Sequence, residues 1–175
     1  MVDTLSEESA SEPSPPGSSA LDSYSQVVTS VAAELNAWQI VTAQNAESGQ
    51  AAIFRIRMSK PPRPDVAALT TAVVIKWPYE PSGVKPPDAV NQQQRRFEQA
   101  LDPLSSDDNS TLMQVTTGMG VKEWVYYARN RDVFMSRLHK RLKEHPKYPL
   151  EIEFHEDPEW KVWGETVENL RARGA

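Results

Sequence analysis

The feature that most constrains the fold is a stretch near the middle of the chain, residues 111–128, in which two apolar segments flank Gly118-Met119-Gly120. Both segments are rich in β-branched and aromatic residues, which favour extended strands. Glycine readily takes the positive φ angles that a tight hairpin turn requires. The stretch therefore predicts a β-hairpin, and its apolar character places that hairpin near the centre of a sheet.

A second hairpin is predicted before the first. Residues 38–42 and 50–58 alternate polar and apolar side chains, and the segment between them, 45–49, contains turn-forming residues. The alternation places Arg55 and Arg57 on the opposite face of their strand from the apolar side chains. One face of this strand is therefore expected to contact solvent or a partner.

Two more strands are predicted at residues 69–77 and 149–155. The first is almost continuously apolar, which indicates burial on both faces. The second alternates, so that Glu151, Glu153 and His155 lie on its outer face.

Apolar side chains spaced three or four residues apart predict four amphipathic helices. Their predicted starting points are Leu21, Asp88, Asn130 or Asp132, and Asp157. In the last helix Asp157 is expected to be the N-cap, with Pro158 in the first helical position.

The order of elements from residue 69 to residue 155 is β-α-β-β-α-β, which is typical of ferredoxin-like folds. The predicted fold class is therefore α+β, with an antiparallel sheet covered on one face by two helices and open for contact on the other. A leading hairpin and flanking N- and C-terminal helices extend this arrangement.

Composition divides the chain into three parts. Residues 1–20 contain mostly Ser, Pro, Glu and small side chains and no Lys or Arg, so a disordered tail is predicted there. Residues 21–36 are predicted to form an amphipathic helix, and residues 37–175 a single α+β domain. The chain has no cysteine, no basic and apolar leader and no apolar run of membrane-spanning length, so a cytoplasmic protein without membrane contact is expected.

The net charge of −5 disfavours sequence-independent binding to nucleic acid, which depends on Lys and Arg. It favours a basic partner instead. No cofactor is predicted, because glycine-rich phosphate loops, nucleophile elbows and a candidate oxyanion loop are all missing from the sequence.

The best candidate for chemistry is the outer face of the last strand. Glu151, Glu153 and His155 follow one another at steps of about 7 Å, close enough to share a divalent metal in a hydrolase. The simpler interpretation is a solvated face whose carboxylates pair with Arg55, Arg57 or Lys122 on neighbouring strands. We favour the simpler interpretation.

Aromatic side chains suggest one further alternative. Trp124 and Tyr126 share one face of their strand, and Tyr127 lies on the other. A ferredoxin-like sheet that displays aromatic side chains can stack RNA bases. Core packing is the preferred interpretation, because the basic surface that accompanies base stacking is missing.

Three motifs in order resemble the bacterial family catalogued as domain of unknown function 695, over roughly residues 38–163. They lie at 116–128, 148–151 and 156–160 in this chain. The positions that carry the resemblance are Gly118, Gly120, Glu123, Trp124, Tyr148, Pro149, Asp157, Pro158 and Trp160.

The resemblance implies no catalytic residue. Some family members look fused to a domain that resembles bacterial regulators of ribonuclease activity, and neighbours of this kind occur in toxin and immunity contexts. The resemblance therefore implies binding to another protein. The resulting hypothesis is a non-enzymatic protein-binding domain, such as a bacterial immunity or regulatory protein that opposes a basic toxin or nuclease. The candidate binding face comprises Glu151, Glu153, His155, Arg55 and Arg57, and neither the oligomeric state nor the identity of the partner follows from the sequence.

Overall fold

The structure is a computed structural model that describes residues 38–44 and 50–172. The tail predicted at 1–20, the helix predicted at 21–36 and the turn predicted at 45–49 lie outside the described residues.

Six strands and three α-helices make up the described part of the chain. The strands are β1 (Gln39–Gln44), β2 (Ala51–Ile56), β3 (Thr71–Pro78), β4 (Ser110–Gly118), β5 (Val121–Ala128) and β6 (Glu151–Glu156). The helices are α1 (Asp88–Leu101), α2 (Arg131–Leu142) and α3 (Lys161–Ala172), with short 3-10 helices at Val66–Ala68 and Asp102–Ser105.

All six strands belong to one antiparallel sheet in the order β1-β2-β4-β5-β3-β6. The predictions of an α+β fold, of the leading hairpin and of the central β4–β5 hairpin are confirmed. The sheet is wider than a simple four-stranded βαββαβ sheet, because the hairpin of β1 and β2 is joined to it alongside β4.

The turn of the central hairpin depends on its glycines. Met119 and Gly120 have φ angles of 54° and 74°, the two positive values expected in a two-residue hairpin turn that matches strand twist. Gly118 is needed for a different reason. A Cβ atom there would lie 2.7 Å from the carbonyl oxygen of Ala51, so only glycine lets β2 pair closely with β4.

Helices α1 and α2 cover one face of the sheet, as predicted. Their buried side chains Phe97, Leu101, Phe134 and Leu138 pack on a core of apolar strand residues. The contacts are largely aromatic, and the ring of Phe97 lies 4.9 Å from that of Trp124, edge to face. This aromatic layer joins the helices to the sheet.

The opposite face is not fully open, which corrects the prediction of a free platform. Trp163, Val167 and Leu170 of α3 are buried against it, and Trp160, just before the helix, stacks on Tyr127 with ring centroids 3.9 Å apart. The apolar stripe of α3 and the apolar half of this face each need burial, so they cover one another.

Asp157 caps α3, but the helix begins three residues later than predicted. The Asp157 carboxylate accepts hydrogen bonds from the backbone N–H groups of Lys161 and Val162, at 2.8 and 2.9 Å. Pro158 therefore lies in the turn before the helix and not in its first position. The delay arises because Trp160 takes a φ angle of 63°, which is outside the helical region and directs its ring onto Tyr127.

None of the helices described between residues 38 and 172 is both long and apolar enough to cross a membrane.

Candidate binding face of the sheet

Helix α3 leaves one corner of its sheet face uncovered. The helix runs from above β5, where Trp160 stacks on Tyr127, towards β2, where Leu170 packs beside Phe54. The uncovered corner carries polar side chains of β3, β5 and β6. We call it the acidic sheet face, and it consists of Lys76, Glu123, Glu151, Glu153 and His155.

Strand register brings these residues together. Glu151 pairs with Lys76, and Lys76 pairs on its other side with Glu123. Glu123 in turn pairs with Thr116 on β4. Directly paired residues share a face of an antiparallel sheet, so these four side chains form one row across four strands.

Lys76 holds the centre of the acidic sheet face. Its Nζ donates a hydrogen bond to Glu153 Oε1 at 2.7 Å. This bond raises the pKa of Lys76 and lowers the pKa of Glu153. His155 Nε2 lies 3.5 Å from the other carboxylate oxygen of Glu153 and gains charge only when the ring is protonated. Three carboxylates thus share one ammonium group.

Glu123 is a partly buried member of the acidic sheet face whose carboxyl group lacks a hydrogen-bond donor. Burial raises the pKa of its carboxyl group, although the nearby Lys76 acts in the opposite direction. Lys76 is not within ion-pair distance of it, and no donor in the described part of the chain hydrogen-bonds its carboxylate. The carboxyl group of Glu123 is therefore held half-buried without a direct partner.

Gln114 adds a second acceptor without a donor. Its side chain lies on the same sheet face, and its Nε2 donates to Thr116 Oγ1 at 3.0 Å. The residue is only 4% exposed, and its Oε1 has no hydrogen-bond partner among the described residues. Buried acceptors without donors are uncommon in native proteins, so this corner of the sheet has an excess of acceptors.

Arg55 and Arg57 do not belong to this face, which corrects the predicted five-residue surface. Arg55 pairs with Val115, and this row continues through the buried side of the sheet beneath α1. Both guanidinium groups lie near the ring of Trp38, at 5.6 and 4.6 Å from its centroid. The predicted surface combined residues from opposite faces.

Lys122 also points to the α1 side. Its Nζ lies 2.8 Å from Glu98 Oε1, and the same oxygen accepts a hydrogen bond from Trp124 Nε1 at 2.9 Å. The prediction that Arg55, Arg57 or Lys122 pairs with the β6 carboxylates is wrong, because Lys76 occupies that role.

The geometry of the described residues does not support the two alternative functions, a metal-dependent hydrolase and an RNA-binding sheet. Between residues 38 and 172, no group of three or more His, Asp or Glu side chains in the described parts is arranged to hold a metal ion, and that includes Glu151, Glu153 and His155. The aromatic side chains considered for RNA stacking, Trp124, Tyr126 and Tyr127, are buried.

Most residues of the three motifs have structural roles. Gly118 and Gly120 shape the hairpin, Trp124 and Tyr148 pack in the α1 core, and Asp157 and Trp160 position α3. Pro149 and Pro158 are exposed on either side of β6. Glu123 differs from these residues, because it is a charged motif residue directed towards an uncovered part of the sheet.

The fold and this face define an α+β domain with an acidic patch on a partly covered antiparallel sheet. The chain belongs to the family of unknown function DUF695, whose family model matches residues 36–167. No curated protein matches the chain.

Sequence reasoning missed Lys76, Thr116 and Gln114. The sequence does not show which strands lie beside β6. The basic side chain that pairs with the β6 carboxylates was therefore expected on the wrong strand. A signal for Lys76 was present, because it is the one charged side chain in the otherwise apolar segment of β3. A lone charge in a buried strand indicates a specific partner.

Replacing Glu123 by glutamine should raise the melting temperature at neutral pH. The raised pKa means that the folded state disfavours the carboxylate, so ionisation costs stability at every pH above the pKa of the unfolded chain. This gain in stability should shrink as the pH falls from the raised pKa of Glu123 in the folded state to its ordinary pKa in the unfolded chain. Over that range the wild-type carboxyl group becomes neutral, like the glutamine that replaces it. Thermal unfolding over a pH series measures this. Glu151→Gln, at an exposed position in the same row, is the control and should change little.

Proposed function

We propose that this domain binds a basic partner protein through the acidic sheet face, without catalysing a reaction. The observation that carries the proposal is the half-buried Glu123 carboxylate, which lacks a hydrogen-bond donor in the described chain and lies beside the buried acceptor of Gln114. A lysine or arginine side chain of the partner supplies the donor that the Glu123 carboxyl group lacks. Binding then recovers part of the energy that the unpaired carboxylate costs.

The charge of the face supports the same partner. Glu123, Glu151 and Glu153 outnumber Lys76, and the whole chain carries a net charge of −5. A surface of this kind attracts a basic protein and increases the rate of association, with a strong dependence on salt. The edge of the face at β6 is exposed, so a partner can reach it from the side.

We propose that β3 to β6 with α1 and α2 form a ferredoxin-like unit. The strand order β4-β5-β3-β6 within the sheet and the placement of both helices on one face support this assignment. In this chain α3 covers part of the face without the two helices, and the acidic sheet face lies on the uncovered part.

An immunity or regulatory role suits this surface. A basic toxin or nuclease is the kind of partner that an acidic face neutralises, and this role places the protein in the cytoplasm with its partner. The proposal rests on surface charge and unpaired acceptors.

The test is a matched capture experiment with the full chain. Four forms are immobilised and exposed to native lysate: wild type, Glu123→Gln, Glu151→Gln with Glu123→Gln, and the control Glu165→Gln with Glu168→Gln on α3. The control removes the same charge from exposed positions outside the acidic sheet face. Wild type and control should retain a basic protein, and the Glu123 variants should lose it, with affinity reduced about tenfold or more in titrations with the purified partner.

Loss of binding cannot be attributed to unfolding, because Glu123→Gln is expected to stabilise the domain. Equal retention by all four forms would contradict the proposal, and so would a captured partner that is acidic. Failure to retain any protein specifically would contradict it as well.

A further inference from the structure

The two edges of the sheet differ in how they are protected against pairing with another strand. Edge strands present unpaired backbone groups, and proteins usually block them with charged side chains or prolines. Strand β6 follows this rule. Four of its six residues are Glu or His, and Pro149 and Pro158 lie close to its ends.

The part of the chain that the structure describes gives strand β1 no such protection. Its sequence, Gln39–Gln44, contains no charged residue and no proline, and among the described residues it pairs with β2 alone. Three of its residues, Ile40, Val41 and Thr42, are β-branched, and such residues favour extended structure. The β1 edge is therefore chemically suited to accept another strand.

The exposed apolar side chain on this edge strand is Ile40. It is 76% exposed, more than Met119 or Val133, the other large apolar side chains exposed in the described part of the chain. Its cross-strand neighbour is Arg55, whose guanidinium group is directed to Glu98 and Trp38. The apolar side chain of an isoleucine in this position stays in contact with water unless another surface covers it. Covering it would be favourable, because apolar area is then removed from water.

We infer that the β1 edge pairs with β1 of a second copy of this chain, in antiparallel orientation about a twofold axis. The two six-stranded sheets then form one continuous sheet. This interface lies at the opposite edge of the sheet from β6, so it leaves the acidic sheet face free for a different partner.

Three features favour a second copy over an unrelated strand. A twofold interface uses the same surface twice, so one unprotected edge is enough for both sides. Self-pairing brings no like charges together, because β1 carries none. In an antiparallel pair, facing residues share a sheet face, so Ile40 is covered by Ile40 or Thr42 of the second copy.

The experiment compares the oligomeric state of three forms of the full chain by sedimentation over a wide concentration range. Wild type should show a reversible monomer–dimer equilibrium. Ile40→Lys places two positive charges in the symmetric interface and should weaken dimerisation about tenfold or more. Val133→Lys makes a closely similar change at an exposed position on α2 and should dimerise like wild type.

Hydrogen exchange provides an independent measurement. Backbone amides of β1 should become more protected as the concentration of wild type rises, and those of β6 should not. A wild-type chain that stays monomeric throughout, or one whose dimer is unaffected by Ile40→Lys, would overturn the inference. Because Ile40 is exposed, its replacement should leave the fold intact, which circular dichroism verifies.

Discussion

Replacing Gly118 by alanine should lower the free energy of unfolding by about 3 kcal/mol. The added Cβ would lie 2.7 Å from the oxygen of Ala51 and 2.8 Å from the Cα of Ala52. Both are backbone atoms of β2, the strand that pairs directly with β4 at this point. Neither can move away without separating the leading hairpin from the rest of the sheet. Urea denaturation followed by tryptophan fluorescence measures the loss.

Gly164 provides the matched control. It lies inside α3, and a Cβ there would meet no atom within 4 Å. Alanine favours the helix over glycine, so Gly164→Ala should raise the free energy of unfolding by about 0.5–1 kcal/mol. The same chemical change thus has opposite signs at the two positions. A Gly118→Ala variant as stable as wild type would show that β2 does not approach β4 as closely as described.

Replacing Asp157 by alanine should cost about 3 kcal/mol. The buried carboxylate accepts three hydrogen bonds, from the backbone of Lys161 and Val162 and from the hydroxyl of Tyr127 at 2.6 Å. The same hydroxyl accepts a hydrogen bond from the backbone N–H of Trp163 at 3.2 Å. Removing the carboxylate leaves the start of α3 without its cap and the hydroxyl without its acceptor. Thermal and urea unfolding measure the effect.

The pH dependence of this contribution follows from the pKa of Asp157. Burial tends to raise it, but the hydrogen bonds from Tyr127, Val162 and Lys161 outweigh burial, and the pKa is lowered. A lowered pKa stabilises the fold at pH values above the pKa of the unfolded chain, and the stabilisation is lost as the pH falls through the folded pKa. The difference between wild type and Asp157→Asn should therefore be largest near neutral pH and decline in acid.

A double-mutant cycle separates the two partners. Tyr127→Phe alone should cost about 2 kcal/mol, because it removes the acceptor of a buried N–H group and one donor to Asp157. Combined with Asp157→Ala, it should cost less than the sum of the single changes, since both remove the same hydrogen bond. Additive losses would mean that the two side chains act independently.

The acidic sheet face shows how stability and binding can oppose each other. Glu123 is expected to destabilise the folded domain at neutral pH, and it lies in the hairpin motif on which the resemblance to the family was based. A residue that weakens the fold and is directed towards an uncovered surface is more easily explained by binding than by structure. The Glu123→Gln variant tests both statements, since one substitution should raise stability and reduce binding.

Much of the fold could be predicted because its elements have strong local patterns. The β4–β5 hairpin, the apolar strand β3, the alternating strand β6 and the stripes of α1 and α2 follow from periodicity, turn glycines and caps. The start of α3 could not be predicted. Its delay depends on Trp160, whose backbone conformation is maintained by packing on Tyr127, more than thirty residues earlier in the chain.

The candidate site was predicted in part. Alternation correctly placed Glu151, Glu153 and His155 on the outer face of β6, since that depends on one strand alone. Their neighbours depend on which strands pair, and the sequence does not specify the sheet order. Arg55 was therefore assigned to the wrong face, and Lys76, the actual partner of Glu153, was overlooked.

The sequence by itself determined most of the described elements, the alternation of side chains along each strand and the family, because these depend on short-range spacing and on motifs. Only the tertiary structure decided which strands are neighbours, how far α3 covers the second face, and that Glu123 is left beside the buried acceptor of Gln114. Those features depend on contacts between residues far apart in the chain. They arise when the apolar surfaces of sheet and helix are buried together, which no local pattern encodes.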